Sequence, residues 1–227
     1  MESKNIFIDF DDTLVDFHDA EAYAFFNLTK HYQLHTTRHD LETFMKVNQS
    51  HWEAFQNNLL TKDEVLSKRF EAYFDLHALK VNGVEADHIF RDELANAPIK
   101  YFPKTLETLE KLKEQHNLYI VTNGVLETQE RRIGKTPFGQ LFDGVFVSEQ
   151  TGYQKPMPEF FDFVFNEIGE DKRNNAIIIG DSLTSDILGG KNANIETCWF
   201  NPRQKLNTTD IEPDFTITDM QELIRLI

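Results

Sequence analysis

Two aspartates stand one residue apart directly behind an apolar run near the start of the chain, in Asn5-Ile6-Phe7-Ile8-Asp9-Phe10-Asp11-Asp12-Thr13. Three carboxylates within four residues repel one another. A hard divalent cation with oxygen ligands is one way to compensate them. A solvated acidic turn has the same composition, so the rest of the chain has to decide. Three further polar groups follow predicted strands: Thr122-Asn123-Gly124 behind Leu118–Val121, Lys155 in the loop Gly152–Pro156, and Gly180-Asp181 with Asp186 behind Ala176–Ile179. Singly, each has a plain reading as a helix N-cap, a solvated lysine or an exposed acid. Together, all just beyond strands, they supply donors, a cation and two acidic pairs. That is the equipment of phosphoryl chemistry.

The elements that must position these groups come in two kinds. Short apolar runs alternate with helical spacing from Pro103 to the end, which predicts strands joined by helices. The strands are Leu118–Val121, Val145–Val147, Ala176–Ile179, Ile195–Trp199 and one near Phe215. The helices are Thr105–Gln115, one from Leu126, Pro158–Ile168, one over about Ser185–Ala193, and a last one at the end of the chain. Such alternation predicts an α/β fold, a Rossmann-like, doubly wound parallel sheet covered on both faces. Between about residues 17 and 97 strand signals vanish. Helical stripes run over Ala20–Leu34, Arg38–Leu60 and Val84–Ala97, with Pro98 stopping the last. Thr61 and Glu64 form a capping box that opens another helix. The expected organisation is a core of 1–16 and 98–227, with an all-helical block of 17–97 inserted after the first strand. That gives two lobes with the Asp9 strand end at their hinge.

Composition removes several classes of function. The net charge of −15 argues against nucleic acid and against anionic membrane surfaces, since phosphate backbones attract a basic face. The single cysteine, Cys198, sits in an apolar run and excludes a disulfide framework or a cysteine-rich zinc site. No signal peptide is expected, and no apolar run approaches the length of a membrane span. A cytoplasmic protein, monomer or homodimer, is the default.

With the motifs in view, the sequence resembles the haloacid dehalogenase (HAD) superfamily of phosphohydrolases. Asp9-Phe10-Asp11-Asp12-Thr13 matches its Asp-x-Asp-x-Thr motif. Thr122, Lys155 and Gly180 through Asp186 match the other three. The match spans the chain, and the helical block corresponds to the mobile cap. Asn48, Trp52, Gln56-Asn57, Thr61 and Arg69-Phe70 in that block resemble the bacterial pyrimidine 5′-nucleotidase branch. So do Ser185 through Gly190 and Cys198 through Asn201.

The resemblance implies a Mg²⁺-dependent phosphatase for a small phosphomonoester, a pyrimidine nucleoside 5′-monophosphate first of all. It implies Asp9 as the nucleophile that forms an aspartyl-phosphate. Asp11 becomes general acid and then base, in surroundings that raise its pKa relative to Asp9. Mg²⁺ falls to the Asp9 carboxylate, the Asp11 carbonyl and Asp181. Thr122 and the Asn123 amide hold phosphate oxygens, and Lys155 neutralises charge. Asp186 orients Lys155 or a metal-bound water, and Thr13 orients the motif loop. Asn48 and Trp52, four apart on one helix face, are candidates to meet the substrate, Trp52 by stacking a pyrimidine. Ordinary packing is their other reading. The alternatives are a phosphatase for another metabolite such as a sugar phosphate, a phosphomutase, or a phospho-acceptor signalling module. A dehalogenase fits less well, because that chemistry needs neither Asp11 nor Mg²⁺.

Overall fold

The computed structural model describes residues 3–227. They divide into two compact units, one of residues 3–17 with 99–227, the other of residues 18–98.

The first unit is built on a six-stranded sheet: β1 (Asn5–Ile8), β2 (Asn117–Thr122), β3 (Gly144–Val147), β4 (Ala176–Gly180), β5 (Glu196–Phe200) and β6 (Phe215–Ile217). All pairings are parallel, in the order β3-β2-β1-β4-β5-β6. β1 is central, paired residue for residue with β2 and β4 from Asn5 to Ile8. The chain winds outward from β1 in one direction, then returns to its other side. Ligand sites in open parallel sheets lie beyond the carboxyl ends of strands at such a reversal, and here that position holds Asp9.

Parallel strands covered on both faces bury most of their side chains, and the period of two sorts them. Ile6, Ile8, Leu118, Ile120, Ile177 and Ile179 join one apolar cluster. Their neighbours Phe7, Tyr119, Val121, Ala176 and Ile178 join another, with Phe160, Phe161 and Phe165. Those phenylalanines belong to α8 (Pro158–Ile168), which opens with Pro158 in its first turn, where proline's missing N–H costs nothing.

The second unit holds most of α1 (Phe17–His31), and all of α2 (Arg38–Gln56), α3 (Lys62–Asp75) and α4 (Gly83–Asn96). Two capping boxes define its turns: Thr61 with Glu64, and Thr37 with Asp40. The second opens α2 and was not expected. Phe25, Phe44, Phe70, Tyr73 and Phe90 are fully buried and contact one another as stacked and edge-on rings. Truncating one such ring to alanine costs about 3–5 kcal/mol.

The remaining helices are α5 (Thr105–Lys113), α6 (Leu126–Ile133), α7 (Ser148–Thr151), α9 (Leu188–Asn192) and α10 (Leu223–Leu226). α7 was missed, being a single turn. The helix expected over about 185–193 begins instead as a π-helical turn, Leu183–Ile187, that carries Asp186. Turns of this kind cluster at functional sites.

Candidate active site

Lys155 lies at the centre of the site. Its side chain is 1% exposed. The ammonium donates to Asp9 Oδ1 at 2.8 Å, to Asp186 Oδ1 at 2.6 Å and to the Val121 carbonyl at 2.8 Å. Those acceptors use all three of its hydrogens. Burial alone would lower its pKa, but Asp186 and Asp9 outweigh burial and raise it, so the ammonium stays charged. Asp186 Oδ2 also accepts from the Ser182 N–H at 3.1 Å. Glycine at 180 makes this geometry possible, because a Cβ there would stand 2.2 Å from the Asp186 carboxyl.

The carboxylates of Asp9, Asp181 and Asp186 each bring an oxygen within 4.8 Å of the others. Burial pushes the Asp9 pKa well above the usual carboxylate range, against the pull of Lys155. Burial, with the charge of Asp12, pushes Asp181 up to about 7. Lys205 reaches Asp181 at 3.4 Å and relieves only part of this. Three acids face one buried ammonium, so the cluster has affinity for further positive charge. An all-oxygen donor set suits a hard divalent ion. The residues present therefore fit a magnesium ion.

The loops around the cluster are tied together. Thr13 Oγ1 accepts from the Asp181 N–H at 3.1 Å, which links the first acidic loop to the fourth. Asn123 joins the second loop to the third: its side chain donates to the Lys155 carbonyl at 2.8 Å and accepts from the Lys155 N–H at 2.9 Å. The Asn123 side-chain amide therefore holds the lysine loop in place, a structural engagement the sequence did not show. Thr122 Oγ1 accepts from the Gly124 N–H at 3.1 Å and from Gln129 Nε2 at 2.9 Å. Asp12 has a left-handed backbone (φ +56°). Its Oδ1 accepts from the Phe17 N–H and from Arg203, both at 3.2 Å. Its role is to shape the turn.

Both oxygens of Asp11 are held from α6: Arg132 Nη1 donates to Oδ1 at 2.5 Å and Gln129 Nε2 to Oδ2 at 2.8 Å. Neither Arg132 nor Gln129 was identified from sequence. Their signal was a polar pair three apart on α6, directly behind Thr122-Asn123-Gly124. Asn48 was a candidate to meet the substrate, with ordinary packing as its other reading. It is 5% exposed, its Nδ2 donates to Glu21 at 2.6 Å, and its Oδ1 accepts from Arg69 at 2.8 Å. Both ends of its amide are committed inside the helical unit, so it is a packing residue. Trp52 is half-buried, edge-on to Phe55 with ring centroids 5.8 Å apart and 5.7 Å from the Arg69 guanidinium.

Among the described residues no helix is long and apolar enough to cross a membrane. The family model described as haloacid dehalogenase-like hydrolase matches residues 4–194. The HAD-hydrolase YfnB of Bacillus subtilis is 36% identical over 99% of this chain and 95% of its own. A crystal structure of YfnB bound to magnesium superposes with a TM-score of 0.93 at 35% identity, covering 100% of this chain and 99% of that one. Pyrimidine 5′-nucleotidase YjjG of Escherichia coli is 29% identical over 98% of this chain and 96% of its own. Pyrimidine 5′-nucleotidase PynA of Streptococcus pneumoniae is 30% identical over 97% and 93%. The acidic motif at the switch point, the buried lysine behind it and a family match across most of the length agree, and the chain belongs to the haloacid dehalogenase-like hydrolases.

Proposed function

We propose that the protein is a Mg²⁺-dependent phosphatase that hydrolyses pyrimidine nucleoside 5′-monophosphates through a phosphorylated Asp9. The observation that carries this reading is the triad Asp9–Lys155–Asp186, with Asp181 beside it and too little positive charge for three acids. A carboxylate hydrogen-bonded to a permanent cation, at the strand end where ligands bind, is equipped to attack phosphorus. The likeness to YjjG and PynA supports the choice of substrate.

Asp9 donates an electron pair to phosphorus, and the bond to the leaving alkoxide breaks. Asp11 gives its proton to that alkoxide and then takes one from the water that cleaves the aspartyl-phosphate. Lys155 neutralises charge on Asp9 and on the phosphoryl oxygens, and Thr122 holds one of those oxygens with its hydroxyl. Fixed donors of this kind are usually the largest catalytic term. Asp186 positions Lys155, and Thr13 positions the Asp181 loop. Magnesium would be held by Asp9, the Asp11 carbonyl and Asp181. When bound it supplies charge to the phosphoryl oxygens. Trp52 contributes to nucleotide selection.

Release of inorganic phosphate with Mg²⁺, measured over a panel of pyrimidine and purine nucleoside monophosphates, sugar phosphates and 4-nitrophenyl phosphate, tests this reading. Pyrimidine nucleotides should give the highest kcat/KM. A sugar phosphate at the top would retain the phosphatase and reject the substrate. Self-phosphorylation without turnover would favour a signalling module and reject the enzyme.

A further inference from the structure

We propose that Arg132 and Gln129 are positioning residues that set the orientation of Asp11 for proton transfer to the leaving alcohol. This rests on the reading of Asp11 as the general acid. Arg132 is 1% exposed, although it carries a full charge. Its guanidinium lies over the Phe10 ring, 5.1 Å from the centroid, and over the Phe17 ring, 5.3 Å from the centroid. Its Nη1 donates to Asp11 Oδ1 at 2.5 Å and to Gln129 Oε1 at 3.1 Å. Gln129 Nε2 in turn donates to Asp11 Oδ2 at 2.8 Å and to Thr122 Oγ1 at 2.9 Å.

The two residues sit three apart on α6, and so share one face. Both oxygens of Asp11 are therefore held by one rigid surface, and the same amide reaches the threonine assigned to the phosphate. Gly124 leaves room for this reach, since a Cβ there would meet Gln129 Nε2 at 2.6 Å. Burying an arginine is expensive unless its partners require it. A surface-exposed link would have fixed α6 at less cost. The geometry points to a fixed relation between the proton donor and the phosphoryl group. Misplacing a reacting group by about 1 Å can cost on the order of 100-fold in rate.

The experiment compares kcat/KM on two substrates, because that ratio ends at the first irreversible step, phosphoryl transfer. A nucleoside 5′-monophosphate, or whichever alkyl phosphate the wild type turns over best, has a leaving alkoxide that requires a proton. Nitrophenolate leaves 4-nitrophenyl phosphate without one. Arg132→Met and Gln129→Met should lose kcat/KM on the alkyl phosphate at least about tenfold more than on 4-nitrophenyl phosphate, a part of the roughly 10²–10⁴-fold range of general acid catalysis. Arg132→Lys should recover part of that difference. Equal losses on both substrates, no loss, or a gain on the alkyl phosphate would overturn the proposal. If Arg132→Met does not fold, as judged by its melting curve, Gln129→Met decides alone. Asp11→Asn is the control: if it treats both substrates alike, Asp11 is not the acid and both readings fall. If only the Arg132 and Gln129 variants treat them alike, the positioning role alone falls.

Discussion

Each unit of the molecule buries a cation, and the two burials differ in balance. In the helical unit Arg69 bonds Asn48 and Asp87, Arg91 takes the other oxygen of Asp87, and Glu21 completes the group. Two arginines meet two acids. In the α/β unit one buried lysine meets Asp9 and Asp186, with Asp181 close by. A balanced network satisfies itself and holds helices together. In the other, burial raises the proton affinity of Asp9 and Asp181, and Lys155 with Lys205 offsets only part of the acidic charge. Burial of charge is therefore not by itself a mark of function. Unneutralised charge at a strand end is the better mark.

The contrast can be broken most severely at Asp9. Asp9→Asn should reduce turnover by on the order of 10³-fold or more while leaving the melting temperature close to wild type. Retained activity in a phosphate-release assay would place the nucleophile elsewhere. Removing the cations comes next. Lys155→Met and Arg69→Met each strand buried acids, and each should cost about 3–5 kcal/mol in chemical denaturation. Only Lys155→Met should also abolish hydrolysis of 4-nitrophenyl phosphate under conditions where the variant is folded. Equal losses of turnover in both would erase the distinction between the two networks.

A smaller effect is expected from pH. The Asp181 carboxyl sits at about 7 in the folded, metal-free protein and near an ordinary value of about 3.9 when unfolded. The folded state therefore binds the extra proton between these values. Its contribution to stability is fully present below pH of about 4 and is lost as pH rises through about 7. Metal-free protein should melt higher at pH 6 than at pH 8. Magnesium affinity should change the other way, falling between pH 8 and pH 6 with proton release on binding, as calorimetry in two buffers would show. A melting temperature that climbs steadily to pH 8 without metal would contradict the raised acid. The smallest effect is at Trp52. Trp52→Ala should raise KM for nucleotides by a few fold and leave KM for 4-nitrophenyl phosphate nearly unchanged. Equal changes would make Trp52 a packing residue like Asn48.

Much of this was legible in the sequence, because strand ends and apolar runs are local. β1, β2 and β4 announce themselves as short apolar stretches, and Asp9, Thr122 and Asp181 stand directly at their ends. Lys155 lies farther on, in the loop beyond β3 and α7, and was named only with the other three groups. What escaped was long-range. The clasp on Asp11 comes from α6, more than a hundred residues away in the chain, and only the parallel pairing of β1 with β2 brings the two together. Asn48 stayed open between substrate and packing for the converse reason. A shared helix face says which residues point together, not whether that face meets solvent or a buried arginine. The π-helical turn at Leu183–Ile187 was equally hidden, since its apolar residues read as an ordinary helix start.

The central claim is that Asp9 itself becomes phosphorylated. Wild-type protein mixed with Mg²⁺ and its best nucleotide substrate, quenched in acid within a turnover and mapped by mass spectrometry, tests it directly. A phosphoryl group on Asp9, absent from Asp9→Asn, is the predicted result. Phosphate released at the wild-type rate with no adduct on any quench timescale, or an adduct on Asp11 instead, would contradict it.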